Sequence, residues 1–481
     1  MARRIQRQPI AAAALFFAAA LASRPADPQL SAEMRAVMDH VSADSLRAHV
    51  SYLASDELEG RGTPSRGLDL ASEYIAGQFR RAGLEPAAGG SYFQAAPLRL
   101  REPDYSGFEM TFTAGGRSLK ISPAEAYLAP DAALKLDQAP VVIAGGNTQL
   151  APEEIDGKVL LVTSQRVPRG FEQSRPALVL TTAAQLPSAP QVAIADLGSR
   201  AGPPVGVLAK PELAGFLAGA GEVRLTARIA PAKETPATAR NVAGLLRGSD
   251  PELRNTYVLL TSHYDHLGLA ASGEDRIFNG ANDDASGTAS VLEVAGALGA
   301  LPVHPRRSVL FVLFFGEERG LMGSRYYGRH PLAPPAQTVA DLNLEHMGRT
   351  DASDGPQLRT ASVTGFDFSG LPQILVEAGQ LSGIRVYKNP QASDAFFTRS
   401  DNQTFAGLGI PAHTLCVAFE FPDYHKVSDH WQKLDYDNMA AVDRAVALGL
   451  LHLASDAAPP KWNESYGPAR RYAEAARKLK P

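Results

Sequence analysis

Five short stretches of this sequence carry side chains that bind metals or transfer protons. They contain histidine, aspartate and glutamate, and none of them contains cysteine. The stretches are residues 263–266, 282–284, 317–318, 345–346 and 423–425. Imidazole and carboxylate ligands without thiolates suit zinc, and less selectively cobalt or manganese. We therefore expect a metal site if the fold brings these stretches together.

Each stretch has an ordinary interpretation when it is taken alone. A single histidine after a strand usually serves as a hydrogen-bonding group, Glu317-Glu318 could form a solvated turn, and Asp283-Asp284 could cap a helix. The coincidence of all five stretches favours the metal site. Several carboxylates in one crevice repel one another and are costly to desolvate unless cations lie among them.

Apolar runs of strand length precede four of the stretches. They span residues 257–260, 309–315, 338–344 and 411–419, and their continuous apolar character is typical of a sheet buried on both faces. Helical spacing of apolar residues appears between them, as in 289–298. Strands that alternate with helices predict an α/β fold with helices on both faces of the sheet. In such sheets ligands bind beyond the carboxyl ends of the strands, where the polar stretches lie.

The first half of the chain has a different pattern. Residues 30–100 are predicted to be largely helical. Residues 105–232 consist of short β-rich runs between Gly, Pro and Asp turns, which predicts a small inserted β-rich domain. The Pro- and Ala-rich run 230–237 is predicted to be a linker. Residues 468–480 predict a basic surface helix, which is either a solvated tail or a partner-binding element.

Composition excludes several classes of protein. The chain has 481 residues, of which 45% are hydrophobic and 20% charged, as in an ordinary globular protein of about two domains. A net charge of −4 argues against a nucleic-acid partner. Cys416 is the only cysteine, which excludes an internal disulfide and a cysteine-based zinc or iron–sulfur site. Because Cys416 lies in an apolar run, we interpret it as a core residue. No pattern in the sequence predicts an oligomeric state.

The first 22 residues are predicted to be a secretory signal peptide. Arg3, Arg4 and Arg7 form a basic segment, and residues 10–21 form an apolar run that is too short to span a bilayer. Ala20-Leu21-Ala22 fits a small-x-small cleavage site. The alternative is an uncleaved membrane anchor. We expect a periplasmic or secreted protein that has no membrane contact after cleavage.

The order of the motifs resembles that of the co-catalytic di-zinc aminopeptidases, metallopeptidase family 28 (clan MH). The matching motifs are residues 263–268 (HYDHLG), 280–287 (GANDDASG), 315–318 (FGEE) with 323–324, 343–345 (NLE) and 423–425 (DYH). The resemblance covers about 240–456 and extends to the segment 46–94. It implies a mixed, largely parallel sheet flanked by helices on both faces, and the inserted region resembles a protease-associated domain.

The resemblance also implies a division of the chain. The predicted units are a signal peptide (1–22), the N-terminal part of the catalytic domain (23–104), a protease-associated-like insert (105–232), the catalytic zinc peptidase domain (233–456) and a C-terminal tail helix (457–481).

The resemblance implies a role for each site residue. Asp283 would bridge two Zn²⁺ ions, with Co²⁺ or Mn²⁺ as possible substitutes. The other ligands would be His263 and Glu345 on one ion, and Glu318 and His425 on the other. Asp265 would orient the ring of His263, Glu317 would act as general base, and Tyr424 would stabilise the tetrahedral intermediate. Many members have Asp at the position of Glu345, so His346 or Asp341 could contribute in its place.

The implied reaction is removal of the N-terminal residue from peptides. Residues 400–402 resemble a loop that lines a specificity pocket, where Asp401 would attract the substrate ammonium group or serve as a turn residue. A carboxypeptidase or dipeptidase on the same metal site is the alternative, and it would need an arginine such as Arg349 or Arg399 for the substrate carboxylate. A non-catalytic binding domain is the second alternative. No GxSxG or HExxH motif supports another class of hydrolase.

Overall fold

The computed structural model describes residues 30–145, 150–164, 174–187, 189–197, 202–455 and 458–479. The predicted signal peptide lies outside the described residues. The α-helices are α1 (Ala32–His40), α2 (Ala43–Leu53), α3 (Arg66–Arg81), α4 (Pro152–Ile155), α5 (Glu212–Leu217), α6 (Ser286–Gly299), α7 (Met322–Arg329), α8 (Leu371–Ser382), α9 (Asn402–Leu408), α10 (Tyr436–Ser455) and α11 (Arg470–Lys478).

The strands of the first half of the chain are β1 (Glu85–Pro86), β2 (Phe93–Glu102), β3 (Glu109–Ala114), β4 (Arg117–Lys120), β5 (Ala126–Leu128), β6 (Leu134–Ala144), β7 (Val159–Val162), β8 (Leu178–Thr182), β9 (Gln191–Ile194), β10 (Val205–Leu208), β11 (Val223–Ile229) and β12 (Lys233–Leu246). Those of the second half are β13 (Tyr257–His263), β14 (Gly268–Leu269), β15 (Ile277–Phe278), β16 (Ser308–Phe314), β17 (Thr338–Glu345), β18 (Asp351–Ala352), β19 (Gly355–Pro356), β20 (Thr360–Val363), β21 (Arg385–Tyr387) and β22 (Ala412–Cys416).

A large mixed sheet carries the polar stretches. Its strand order is β21-β20-β22-β17-β13-β16-β12-β2-β9, and β1 also pairs with β12. The central strands β22, β17, β13 and β16 are parallel, whereas β12 and β2 run antiparallel at one side. Every residue of β16 is buried, as expected for a strand covered on both faces. The predicted α/β fold is therefore confirmed.

Helices cover both faces of this sheet. One apolar cluster joins α3, α6 and α10 to one face, and another joins α9 and α11 to the opposite face. Phe311 of β16 points into the first cluster and Phe314 into the second. Burial of each such side chain contributes about 1.5–3 kcal/mol, so both layers stabilise the sheet. Among the described residues, no helix has both the length and the apolar character that crossing a bilayer requires.

A second sheet lies within the region predicted to be an insert. Its strand order is β4-β3-β11-β6-β7-β8-β10-β5. It has its own apolar cluster, which includes Phe112, Leu161 and Leu225. Strand β9, although it lies between β8 and β10 in sequence, pairs with β2 of the first sheet. The exact domain boundaries and the resemblance of this region to a protease-associated domain stay predictions.

Two local predictions differ from the structure. The run 230–237 is not a free linker, because β12 begins at Lys233 and pairs with β2 from Lys233 to Val242. The pairing partner is more than a hundred residues away, so the local composition did not reveal it. The C-terminal helix α11 is not a solvated tail, because its Tyr472 is buried and stacks on Trp462.

Candidate metal centre

The five polar stretches meet at one edge of the first sheet. The parallel register places His263, the last residue of β13, level with Phe314, the last residue of β16. It likewise places Glu345 at the end of β17 level with Cys416 at the end of β22. The loops that follow these strand ends carry the remaining polar residues. Parallel pairing of the strands is therefore what brings the distant stretches together.

One oxygen of the Asp283 carboxylate, Oδ1, faces two imidazoles, and a glutamate lies beside one of them. His263 Nε2 lies 3.4 Å and His346 Nε2 lies 3.6 Å from this oxygen. Glu345 Oε1 lies 3.9 Å from His263 Nε2. These three side chains and Oδ1 form the first donor group.

The other oxygen of Asp283, Oδ2, faces a matching set. His425 Nε2 lies 3.2 Å from Oδ2 and 3.2 Å from Glu318 Oε2. His266 Nδ1 lies 3.8 Å from Oδ2 and 2.7 Å from Glu318 Oε1. These three side chains and Oδ2 form the second donor group. Each oxygen of one carboxylate thus faces two histidines, and each pair of histidines has a glutamate beside it.

The histidines of the first donor group are held in one tautomer. His263 Nδ1 lies 3.2 Å from the main-chain oxygen of Asp265, and His346 Nδ1 lies 3.1 Å from that of Phe419. A carbonyl oxygen only accepts, so we assign the proton to Nδ1 in both rings. The Nε2 lone pairs then point towards Asp283, which is the arrangement of metal-binding imidazoles.

The charges of the two groups favour a cation. Burial alone would raise the pKa of Asp283, but the four surrounding imidazoles hold that pKa well below its usual range. Burial alone would lower the pKa of His346 and His425, but Asp283 raises them to about 9 and about 10. The structure therefore stabilises positive charge between these nitrogens and Asp283. A divalent cation would supply that charge.

Several buried donor atoms also lack hydrogen-bond partners. Asp283 Oδ2, Glu318 Oε1 and both ring nitrogens of His266 form no hydrogen bond of good geometry with the described residues, although His266 Nδ1 lies 2.7 Å from Glu318 Oε1. His266, Asp283 and Glu318 each present one ligand atom within 4.8 Å of the others. Such atoms are costly to bury unless something binds them. The donor set, which contains nitrogen and oxygen but no sulfur, fits zinc.

The loop that carries Asp283 is fixed by main-chain contacts. Asp429 Oδ2 accepts the backbone N–H groups of Asn282 and Asp283, at 2.9 and 3.1 Å. The peptide bond between Asp283 and Asp284 is cis. Gly280 has φ 57°, and a Cβ there would lie 2.5 Å from the ring of His266. Only glycine therefore fits both the conformation and the space at this position.

Arg61 also holds this loop through hydrogen bonds to main-chain oxygens. Its guanidinium is fully buried and donates to the carbonyl oxygens of Tyr264, Asn279 and Gly280 at 2.7–2.8 Å, and also to that of Leu53. One side chain thus connects the segment after β13 with the segment before Asp283. Its role was not predicted, although residues 46–94 resembled the family.

A layer of buried carboxylates supports the ligands. Asp265 Oδ1 accepts the N–H of Glu317 at 3.0 Å and lies 3.6 Å from His263 Nδ1. Asp284 accepts the hydroxyl of Ser262 at 2.6 Å and the N–H of His346 at 3.2 Å. Burial raises the pKa of Asp284 to about 8, against the opposing effect of His263.

A cavity of about 350 Å³ opens onto the two donor groups. Glu317 lines it, and burial, reinforced by Glu345 and Asp401, raises the pKa of Glu317 well above its usual value. Tyr424 also lines it, with its ring stacked on His425 at a centroid distance of 4.0 Å. The other lining residues are His263, Asp283, Glu318, Gly320, Leu321, Glu345, His346, Thr364, Phe396, Thr398, Arg399, Ser400, Thr414, Cys416, Phe419 and His425.

Two residues singled out in the sequence, Asp401 and Asp341, lie outside the cavity wall and the donor groups. Asp401 is fully buried and does not line the cavity, whereas its neighbours Arg399 and Ser400 do. Asp401 is therefore not part of the cavity wall, and its role towards a substrate stays a prediction. Asp341 is buried against the hydroxyl of Thr261, 2.9 Å away, and takes no part in either donor group.

Arg349 and His266 also differ from expectation. Arg349 is paired with Asp351 at 2.5 Å and with Asp423 at 2.7 Å, so its guanidinium is committed to the protein. His266 stood in a quoted motif but was given no role. Its position three residues after His263, directly behind a strand end, was the signal that could have identified it.

A family model matches this part of the chain. Residues 241–449 match Peptidase family M28, and the match contains both donor groups and Glu317. Leupeptin-inactivating enzyme 1 of Streptomyces exfoliatus is 28% identical over 214 residues, which span 43% of this chain and 42% of that protein. The chain thus matches less than half the length of that curated relative.

Two further comparisons extend over most of the chain. The probable lipoprotein aminopeptidase LpqL of Mycobacterium tuberculosis is 24% identical over 474 residues, covering 88% of this chain and 87% of that protein. The solved structure of a zinc aminopeptidase from Bacillus subtilis has a TM-score of 0.54 at 20% identity, covering 86% of this chain and 96% of that one. The fold is thus shared along most of the chain. Residues 241–449 match the model of peptidase family M28, the family that the motifs of this segment resemble.

Proposed function

We propose that this protein is a zinc aminopeptidase that uses two metal ions to remove the N-terminal residue of peptides. The observation that carries the proposal is the matched surroundings of Asp283. Each of its carboxylate oxygens faces two histidines, and each pair of histidines has a glutamate beside it. A carboxylate placed between two such donor groups is suited to bridge two cations.

The ligands follow from the two groups. His263 and Glu345 would bind one ion beside Asp283 Oδ1, and Glu318 and His425 would bind the other beside Oδ2. His346 and His266 provide one additional donor on each side. The first group is therefore complete even though this chain has Glu345 where many members of the family have Asp. The Bacillus subtilis protein of similar fold is a zinc aminopeptidase, which supports zinc as the metal.

The chemistry divides between the ions and the protein. Two bound divalent cations would lower the pKa of a water between them and polarise the scissile carbonyl group. Glu317 lines the cavity next to both groups without belonging to either. It would accept a proton from the attacking water and deliver it to the departing amine.

Asp265 and Tyr424 would support this reaction in different ways. Asp265 holds the backbone of Glu317 and lies against the ring of His263, so it fixes the base relative to a ligand. Burial and nearby carboxylates raise the pKa of Tyr424, so its hydroxyl stays protonated at neutral pH. A protonated hydroxyl in the cavity wall can donate a hydrogen bond to the negative oxygen of the tetrahedral intermediate.

We further propose that the protein is exported. The support is the basic and apolar segment before residue 23. The name of the Mycobacterium tuberculosis relative, a lipoprotein, agrees with this location.

The test uses the full chain without residues 1–22, loaded with zinc. Short peptides with a free N-terminus are compared with the same peptides after N-acetylation, and the products are followed by mass spectrometry. We expect residues to be released one at a time from free N-termini and not from acetylated ones, because the acetylated amine carries no charge.

Other products would contradict the proposal. Release of C-terminal residues from both sets would identify a carboxypeptidase, and cleavage confined to two-residue substrates would identify a dipeptidase. Absence of cleavage from a protein that holds two zinc ions would favour a binding domain of the same fold.

A further inference from the structure

Arg399 stands alone in the cavity wall. Among the described residues that line the cavity, it is the single lysine or arginine. Its side chain is exposed, and it forms no ion pair with any of the described residues. Arg349, the other arginine considered for a substrate carboxylate, is already paired with Asp351 and Asp423. Arg399 thus keeps its hydrogen-bonding capacity for another molecule.

The guanidinium of Arg399 has a defined place. It lies 4.4 Å from the ring centroid of Phe396, which itself packs against Phe419 at 5.2 Å. Both phenylalanines line the cavity. Stacking on a ring restrains the planar group and leaves the N–H donors at its edge free. The arginine is therefore preorganised beside the space that a substrate would occupy.

The cavity has a size that suits short ligands. Its volume of about 350 Å³ lies at the lower end of the range for small-molecule sites. A short peptide enclosed there would present a negative carboxylate. Among the described residues of the cavity wall, Arg399 is the one lysine or arginine that could bind it.

We propose that Arg399 binds a carboxylate of the peptide substrate and thereby sets a preference for substrates that carry one. The proposal rests on the aminopeptidase function proposed above and adds a substrate class to it. The carboxylate has two possible sources with the same chemistry, namely the C-terminus of a short peptide or an acidic side chain. Paired N–H donors of arginine match either one.

Paired substrates separate this role from a general effect of charge. One pair is Leu-Gly and Leu-Gly-amide, which differ in the C-terminal carboxylate. The other pair is Leu-Glu-amide and Leu-Gln-amide, which differ in the side-chain carboxylate. The readout is the ratio of kcat/KM within each pair, measured for zinc-loaded wild type and for R399Q, R399K and R385Q. Arg385 is the matched control, because it is exposed and stacked on Tyr387 but does not line the cavity.

In wild type we expect one of the two pairs to favour the carboxylate about tenfold or more. R399Q should bring that ratio close to one, R399K should give an intermediate ratio, and R385Q should keep the wild-type ratio. The pair that responds identifies the source of the carboxylate.

Two results would overturn the proposal, and they differ from each other. Wild-type ratios near one in both pairs, or equal ratios in wild type and R399Q, would show that Arg399 recognises no carboxylate although the enzyme is active. Failure of wild type to release leucine from any of the four substrates would refute the aminopeptidase function together with this inference.

Discussion

His266 Nδ1 lies 2.7 Å from Glu318 Oε1, in a buried ion-pair contact. One carboxylate oxygen of Asp283 lies near both atoms, and the ligand atoms of the three side chains lie within 4.8 Å of one another. A histidine and two carboxylates that converge in this way are the arrangement expected around a cation. This relationship extends the second donor group by a residue that the sequence motifs left unassigned.

Replacement of His266 should therefore weaken one metal position. We expect H266A to lose about 10- to 100-fold in zinc affinity at the second donor group, while the first group keeps its ion. Titration against a chromophoric chelator measures both affinities. H330A is the control, because His330 is exposed and does not line the cavity. Equal affinities in H266A and wild type would show that His266 neither binds the metal nor positions Glu318.

Replacement of Glu317 should separate catalysis from metal binding. In E317Q the carboxylate that accepts the proton is lost, and we expect kcat to fall by about 10²- to 10⁴-fold. Zinc content should stay at the wild-type level, because Glu317 belongs to neither donor group. The control is E377Q, since Glu377 lies on the exposed side of α8. Near-normal kcat in E317Q would assign the proton transfer to another group.

Replacement of Arg61 should lower the free energy of unfolding. R61M leaves four buried carbonyl oxygens without their donor, and we expect a loss of about 3–5 kcal/mol in the free energy of unfolding. Denaturant unfolding of the metal-free proteins measures this loss. R66M, at an exposed position at the start of α3, should change the free energy by less than about 0.5 kcal/mol. If R61M also changed the free energy of unfolding by less than about 0.5 kcal/mol, the anchoring role of Arg61 would be refuted.

His413 should make the protein sensitive to acid. Burial lowers the pKa of His413 to about 4, although its hydrogen bond to the Thr364 carbonyl opposes the shift. The unfolded chain therefore binds this proton at a higher pH than the folded chain. Stability from the neutral ring is fully present above pH ~6.5 and is lost as the pH falls towards about 4.

The difference between wild type and a variant isolates this contribution. Between pH 7 and pH 4, wild type should lose up to about 3 kcal/mol more unfolding free energy than H413N. Urea titrations at several pH values give both curves. Parallel curves would mean that His413 does not take up a proton in this range.

The sequence allowed much of the site to be predicted, because parallel strands impose their own geometry. His263, Glu345 and the residues after β16 and β22 had to meet at one edge once the runs before them formed a parallel sheet. The features that the sequence did not reveal depend on the direction of a side chain or on pairing between distant segments. His266 turns towards Glu318, and Asp401 turns away from the cavity, although each adjoins residues that line it or bind at it.

Elements outside the site show the same distinction. Residues 233–237 have the composition of a linker, but β2 provides hydrogen-bonding partners that hold them in a strand. The charged sequence of α11 favours a solvated helix, yet Tyr472 finds a buried position between Trp462 and Phe397. Local composition indicates which conformations a segment can adopt, whereas contacts with distant segments determine its place in the fold.

The most direct test of the central claim is the number of zinc ions that depend on Asp283. Wild type, D283A and the exposed control D39A are stripped with a chelator, incubated with zinc, dialysed and analysed for metal per folded chain. We predict about two zinc ions per chain in wild type and D39A, and close to none in D283A, because both donor groups share this carboxylate. A single ion in wild type, or two ions retained in D283A, would contradict the account.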